Sequence, residues 1–272
     1  SGGVSNWTSG FLPSTYEGVV FRGDGEPVLN LNTPGGYSRE MQKDSLGLIN
    51  SLNRIRLEEQ QDTEIASRIN SYELAFRMQT ETPKLVDFSN ETEGTKNLYG
   101  IDQADTNQFG RQCLLARRFA EAGVRFVQVP LDGWDHHNKI RQGLPKMARQ
   151  CDKPVSGLLT DLKQRGLLED TLVLWGGEFG RTPHAQFGDG REHNPHGFTM
   201  WMAGGGIQGG QVIGRTDEVG YTAVERVLSP ADVHATILHA LGIDQYKNYY
   251  EHRGRREIAT FNGGKVVKEA FA

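Results

Sequence analysis

The chain has 272 residues, 36% of them hydrophobic and 24% charged, with a formal net charge of -4. That length accommodates one large domain with a sizeable core, and the charge balance excludes the basic footprint of a nucleic-acid binder. No apolar run approaches the ~18 residues that a membrane-spanning helix needs, so no membrane span is expected.

Residues 1 to 37 are rich in Gly, Pro, Asn and Ser, with scattered aromatics and no sustained period, and read as an irregular segment. Apolar residues then recur at helical spacing from Ser38 to about Gln60. A second helical pattern opens at Asp62-Thr63, which are suitable N-cap residues, and is expected to stop at Pro83. A short helix is expected over 91–99, closed by Gly100. A longer one follows over 106–122, with Phe109, Cys113, Leu114, Ala116 and Phe119 inward and Gly123 at its C-terminal cap. The period then changes. Val124 to Val129 reads as a strand ended by Pro130, a helix is expected from about Leu144 to Arg165, and Thr171 to Trp175 reads as a second strand. A strand, helix, strand unit of this kind predicts neighbouring parallel strands with a right-handed crossover. Phe198 to Met202 is a further strand. No helix fills the connection from Trp175, so this strand is expected to run antiparallel to Thr171–Trp175. Turns or a small hairpin follow, then a helix opened by Ser229-Pro230 and stopped by Gly242, then a terminal hairpin or edge from Arg256 to Phe261 and Lys265 to Val267. The overall expectation is one α/β domain over 1–272, a mostly parallel sheet flanked by helices, divided into an irregular segment (1–37), a helical part (38–122) and a sheet core with site loops (123–272).

Five of the eight histidines fall between His136 and His196. The loop between the strands at Trp175 and Phe198 also carries Glu178, Arg181, Asp189, Arg191 and Glu192, a density of ligand and acid/base groups that core packing does not require. The first strand is followed by Gly133-Trp-Asp-His-His-Asn138. Adjacent His136 and His137 point in different directions on an extended loop, so one ligand is expected from the pair, and His137 is the choice. Asp135, His137, Glu178, His193 and His196 offer oxygen and nitrogen donors suited to zinc, manganese, magnesium or calcium. Glu178 can instead pair with Arg181. Arg181 suits an anionic oxygen, as its planar fork matches phosphate or sulfate. Thr182 is the one hydroxyl residue inside the motif cluster, open to a reading as a catalytic group or as a loop-stabilising hydroxyl. Cys113 and Cys151 lack any CxxC spacing and read as buried thiols. The chain carries no signal peptide and opens on Ser1-Gly2-Gly3 rather than Met, which reads as part of a longer protein.

The motifs GWDHHN, Gly177 to Pro183 (GEFGRTP), Gly190 to His196 (GREHNPH) and AGGGIQGGQVIG, in this order, resemble the sulfatase-like family called domain of unknown function 1501, grouped with the alkaline phosphatase superfamily. The resemblance covers nearly the whole chain. It implies an alkaline-phosphatase-type α/β sandwich and two divalent ions held by Asp and His. Asp135 and His137 resemble the first ligand pair, Glu178 stands where the superfamily has the Asp of an Asp-His-Gly motif, and His193 or His196 resembles the late His. Two departures stand out: Glu178-Phe179 replaces Asp-His, which removes a nitrogen ligand, and nothing in residues 1–37 resembles the early strand with its nucleophile. The chain therefore reads as the C-terminal part of a longer member, and the family resemblance implies export to the periplasm. These readings lead to a metal-dependent hydrolase acting on a small anionic phosphate or sulfate ester, incomplete in this chain. The alternative is a non-catalytic metal- or anion-binding structural module.

Overall fold

In a computed structural model the described residues are 7–9, 12, 16–22, 28, 32–33, 35–260 and 263–271. The reading of residues 1–37 as an irregular segment, like that of Phe261, falls largely outside them. The chain divides into two compact units, Ser1–Glu91 and Thr92–Ala272.

The first unit contains two helices packed on one another, α1 (Arg39–Gln60) and α2 (Thr63–Val86). Asp62 caps α2 as expected and Ser38 caps α1, each accepting a hydrogen bond from a backbone N–H of the first turn. Pro83 does not end α2, which runs on to Val86. The ladder closes past it, with Asp87 N donating to the Pro83 carbonyl at 3.2 Å, while the proline itself gives no N–H to the ladder. Ile65, Ile69, Asn50 and Asn53 are buried in this unit, whereas Leu48, Leu52 and Ile55 of α1 are exposed.

The second unit is built on α3 (Glu93–Tyr99), α4 (Asn107–Glu121) and α5 (Ile140–Gln164), with α5 packed against the other two. Tyr99, Phe109, Cys113, Leu114, Phe119, Met147 and Leu162 are buried there. The helices approach closely at Gly157, where a Cβ would lie 2.5 Å from the Leu98 carbonyl oxygen, so no larger residue fits without moving backbone. Arg117 and Asp161 are buried together. Arg117 Nε lies 2.9 Å from Asp161 Oδ2, Tyr99 Oη donates to the same oxygen at 3.0 Å, and Arg165 Nε donates to Oδ1 at 2.7 Å. The charge of Arg117 and the hydrogen bonds from Tyr99 and Arg165 give the buried carboxylate the partners that make it tolerable.

The expected mostly parallel sheet is not present. Among the described residues the ladders are two-stranded and antiparallel. Strand β1 (Val173–Trp175) pairs with β4 (Trp201–Ala203), β2 (Gly180–Arg181) with β3 (His193–Asn194), β5 (Arg215–Thr216) with β6 (Ala223–Glu225), and β7 (Tyr249–His252) with β8 (Arg255–Ile258). The run Val124 to Val129 enters no ladder. Parallel strands need burial on both faces beneath a crossover helix, and here Val124 and Phe126 stay exposed, the latter 75% accessible. The antiparallel placement of the strand near Phe198 is as expected, with Trp175 opposite Trp201. Several boundaries differ, the strand expected over Phe198–Met202 running from Trp201 to Ala203, and two differences have a visible cause. The helix expected from Leu144 starts at Ile140, because Asp189, distant in sequence, supplies a carboxylate to the Lys139 and Arg141 N–H groups at 2.7 and 3.4 Å. The terminal hairpin joins β8 to Tyr249–His252 rather than to 265–267. That later segment binds helix α6 (Pro230–Ala240) instead, with Lys265 N donating to Asp232 Oδ1 and Val267 N to Thr236 Oγ1. Helix α6 opens on the expected Ser229-Pro230 cap, completed by Asp232 as a capping box.

Candidate metal centre

Residues 173–203 form nested antiparallel pairs: β1 with β4 outside, β2 with β3 inside, and the loop 182–192 at the tip. The inner register sets Arg181 opposite His193. Within the tip, Gln186 and Gly190 exchange two backbone hydrogen bonds of 2.8 and 2.7 Å, and Thr182 N donates to Glu192 O at 3.0 Å. The tip meets the Asp135 loop directly. Arg191 N donates to His136 O at 2.9 Å, and a Cβ on Gly190 would fall inside the His137 carbonyl, so this junction requires glycine.

That junction brings Asp135, His137 and His193 together, with ligand atoms all within 4.8 Å of one another. Asp135 Oδ1 lies 3.0 Å from His137 Nε2 and 3.1 Å from His193 Nε2, and the two Nε2 atoms are themselves 3.1 Å apart. Arg181 Nη1 donates to the same Oδ1 at 2.7 Å. The partner of Arg181 is thus Asp135. The hydrogen bonds from Arg181 and then His193 hold the Asp135 carboxyl down at about 2, against a smaller upward push from burial. His193 is braced by the Phe179 ring, stacked on it at 4.1 Å. Trp134, Trp175 and Trp201 cluster nearby in the fold, with Trp134 edge-on to Trp175 and Trp175 parallel to Trp201.

Other expected site residues lie apart from this group. Glu178 is exposed in the turn between β1 and β2, and among the described residues neither it nor His196 joins the three ligand atoms. His196 packs near the Tyr221 ring at 5.9 Å, as His184 does at 6.1 Å. Thr182 is 5% accessible; its hydroxyl donates to His184 O at 3.0 Å and accepts from Glu192 N at 3.1 Å. His136 turns its ring against the backbone of α5 at Gly143.

Two polar residues complete the arrangement. His137 Nδ1 lies 2.8 Å from Gln186 Oε1, and Gln186 Nε2 donates to Glu192 Oε2. Glu192 Oε1 accepts from His193 N at 2.9 Å, and that bond lowers the Glu192 carboxyl below its ordinary range. Glu192 stands out in sequence as one more acid in a charged loop. Gln186 gives no such signal, since a neutral amide in AQFG carries neither charge nor period.

Donor chemistry fits a divalent cation. Two imidazole nitrogens and one carboxylate oxygen converge, a set that favours zinc or manganese over magnesium and calcium, which prefer oxygen throughout. Among the described residues, fold and cluster together define a protein of helices and short antiparallel hairpins with an imidazole-carboxylate centre at a loop junction. The family model described as Protein of unknown function (DUF1501) matches residues 1–271, and the chain belongs to that family. No curated protein and no solved structure matches the chain.

Proposed function

We propose that Asp135, His137 and His193 hold a divalent metal ion, and that the site serves a hydrolase of small phosphate or sulfate esters of the sulfatase-like kind. The observation that carries this reading is the convergence of His137 Nε2 and His193 Nε2 on Asp135 Oδ1, within 3.0 and 3.1 Å. Without metal the Arg181 and His193 N–H groups neutralise Asp135 Oδ1, and a divalent ion would take the place of the His193 proton among the same three atoms. A bound divalent ion would polarise an ester oxygen and lower the pKa of a coordinated water. The protein's own part is orientation. Arg181 gives one N–H to Asp135, and a guanidinium has five, so it can hold this carboxylate and an anionic ester together. The motif order from Trp134 to Gly214 supports the sulfatase-like assignment; the sheet architecture does not enter it.

A second reading, a metal- or anion-binding module without turnover, is favoured by one observation. Thr182, the hydroxyl residue of the motif cluster, is buried and spends its hydroxyl on its own loop. Calorimetric titration with zinc and manganese tests the shared core of both readings. Binding in the wild type, lost in Asp135→Ala and in His193→Ala, is expected, and equal metal uptake by all three proteins would sink both. Turnover of aryl phosphates and sulfates with added metal then separates them. Hydrolysis abolished by Thr182→Ala would make Thr182 the nucleophile, and hydrolysis lost only with Glu178→Gln would bring Glu178 into the site.

A further inference from the structure

We infer that Gln186, held by Glu192, is a positioning residue that fixes His137 in the tautomer carrying its proton on Nδ1, leaving the Nε2 lone pair for a cation. This rests on the proposed metal site for its purpose, but its derivation is a chain of donor and acceptor rules. An ionised carboxylate only accepts hydrogen bonds. Glu192 Oε2 therefore receives Gln186 Nε2–H, which turns the other end of the amide, the acceptor Oε1, toward His137. At 2.8 Å and in hydrogen-bond alignment an acceptor requires a donor opposite it, so Nδ1 bears the proton, whereas Asp135 Oδ1, 3.0 Å from Nε2, takes its hydrogen bonds from Arg181 and His193 and asks for none from His137. In neutral imidazole the second nitrogen is then a lone pair, and Nε2 is the atom that faces Asp135 Oδ1 and His193 Nε2.

Each member of this relay is itself fixed by the tip of the hairpin. The paired backbone bonds of Gln186 with Gly190 set where the amide begins, and the His193 and Thr182 contacts hold both ends of Glu192. Ligating histidines are ordinarily oriented by such a partner on the ring nitrogen away from the metal. Here the bonded partner is an amide whose direction is dictated by an acid whose own Oε1 lies 3.6 Å from Nδ1, beyond hydrogen-bond reach.

The experiment is ring-nitrogen NMR of the histidines at about pH 8.5, above the ordinary imidazole range, with His137 assigned by difference against His137→Gln. Co2+ titration is the parallel readout. The wild type is expected to show His137 protonated on Nδ1. Gln186→Met, which has the length but no acceptor, is expected to move the proton to Nε2 and weaken Co2+ binding roughly 10- to 100-fold. The exchange Gln186→Glu with Glu192→Gln keeps an acceptor toward His137 and a donor toward position 186, and should restore both readouts. A wild-type His137 protonated on Nε2 overturns the inference by itself, even if Gln186→Met fails to fold, as does an unchanged tautomer in a folded Gln186→Met. A tautomer that responds as stated in a protein that takes up no Co2+ supports the relay and removes the metal reading.

Discussion

At Asp135 a single carboxylate oxygen serves an arginine and two histidines, and this crowding has a pH consequence. Arg181 is the first cause of the depressed Asp135 pKa of about 2, followed by His193. A carboxyl whose folded pKa lies below its unfolded value stabilises the fold above the unfolded value, and that contribution is lost as pH falls toward the folded one. The window therefore runs from the ordinary aspartate range, about 3.9, down to about 2. Asp135 is largely exposed, so the stabilisation is heavily screened. The pKa itself is the better observable. In Arg181→Met the Asp135 carboxyl should titrate closer to the ordinary aspartate range, followed by carboxyl-carbon NMR. An unshifted titration would mean that Arg181 does not hold this carboxylate in solution. From sequence, Arg181 could pair with Glu178, three residues away, or hold an anion. The choice of Asp135 depends on how the hairpin tip meets another loop, which no local pattern encodes.

Among the elements, the buried pair of α4 and α5 carries the clearest energetic prediction. Arg117 and Asp161 are each nearly inaccessible, and burial together with the adjacent Asp161 carboxylate pushes the Tyr99 hydroxyl pKa well up. Asp161→Ala would remove the buried carboxylate partner of Arg117, leaving it the half-exposed Glu121 at 2.6 Å, and take the acceptor from buried Tyr99 Oη, at a cost of up to about 3–5 kcal/mol. Replacing both, as Arg117→Met with Asp161→Leu, should be much milder, because no buried charge is stranded. Urea denaturation of the three proteins checks this, and a double variant as unstable as the single one would refute it. Helix ends are legible where a cap is local, as at Asp62, Ser229-Pro230 and Gly242. The start of α5 is not, since its capping carboxylate comes from Asp189. The strand at Trp201 is legible as antiparallel because too little chain connects it for a crossover. The strand expected at Val124 does not form: its apolar content resembles that of a buried strand, while burial itself depends on partners that the sequence does not name. Likewise the stripe of Leu48, Leu52 and Ile55 marks a helix correctly and says nothing of its exposure.

At the scale of the molecule, every residue of the candidate site lies in the unit Thr92–Ala272, as do both cysteines. Cys113 is 2% accessible and Cys151 8%, on the packed helices α4 and α5. Burial first, then the neighbouring Cys151, pushes the Cys113 thiol up to about 12. Thiolate is the reactive form, so at neutral pH the folded protein should react with a thiol reagent only through opening of this core. Labelling then measures the opening equilibrium of the helical core without any assumption about the metal site. If this unit contains its own core, as the packing of α3, α4 and α5 implies, residues 92–272 expressed alone should label as slowly as the full chain. They should also keep the near-ultraviolet signature of Trp134, Trp175 and Trp201. Asp161→Ala should speed labelling in both proteins by the same factor. A fragment that labels at the rate of the urea-unfolded chain would show that the core needs residues 1–91, and the site could then not be studied apart from them.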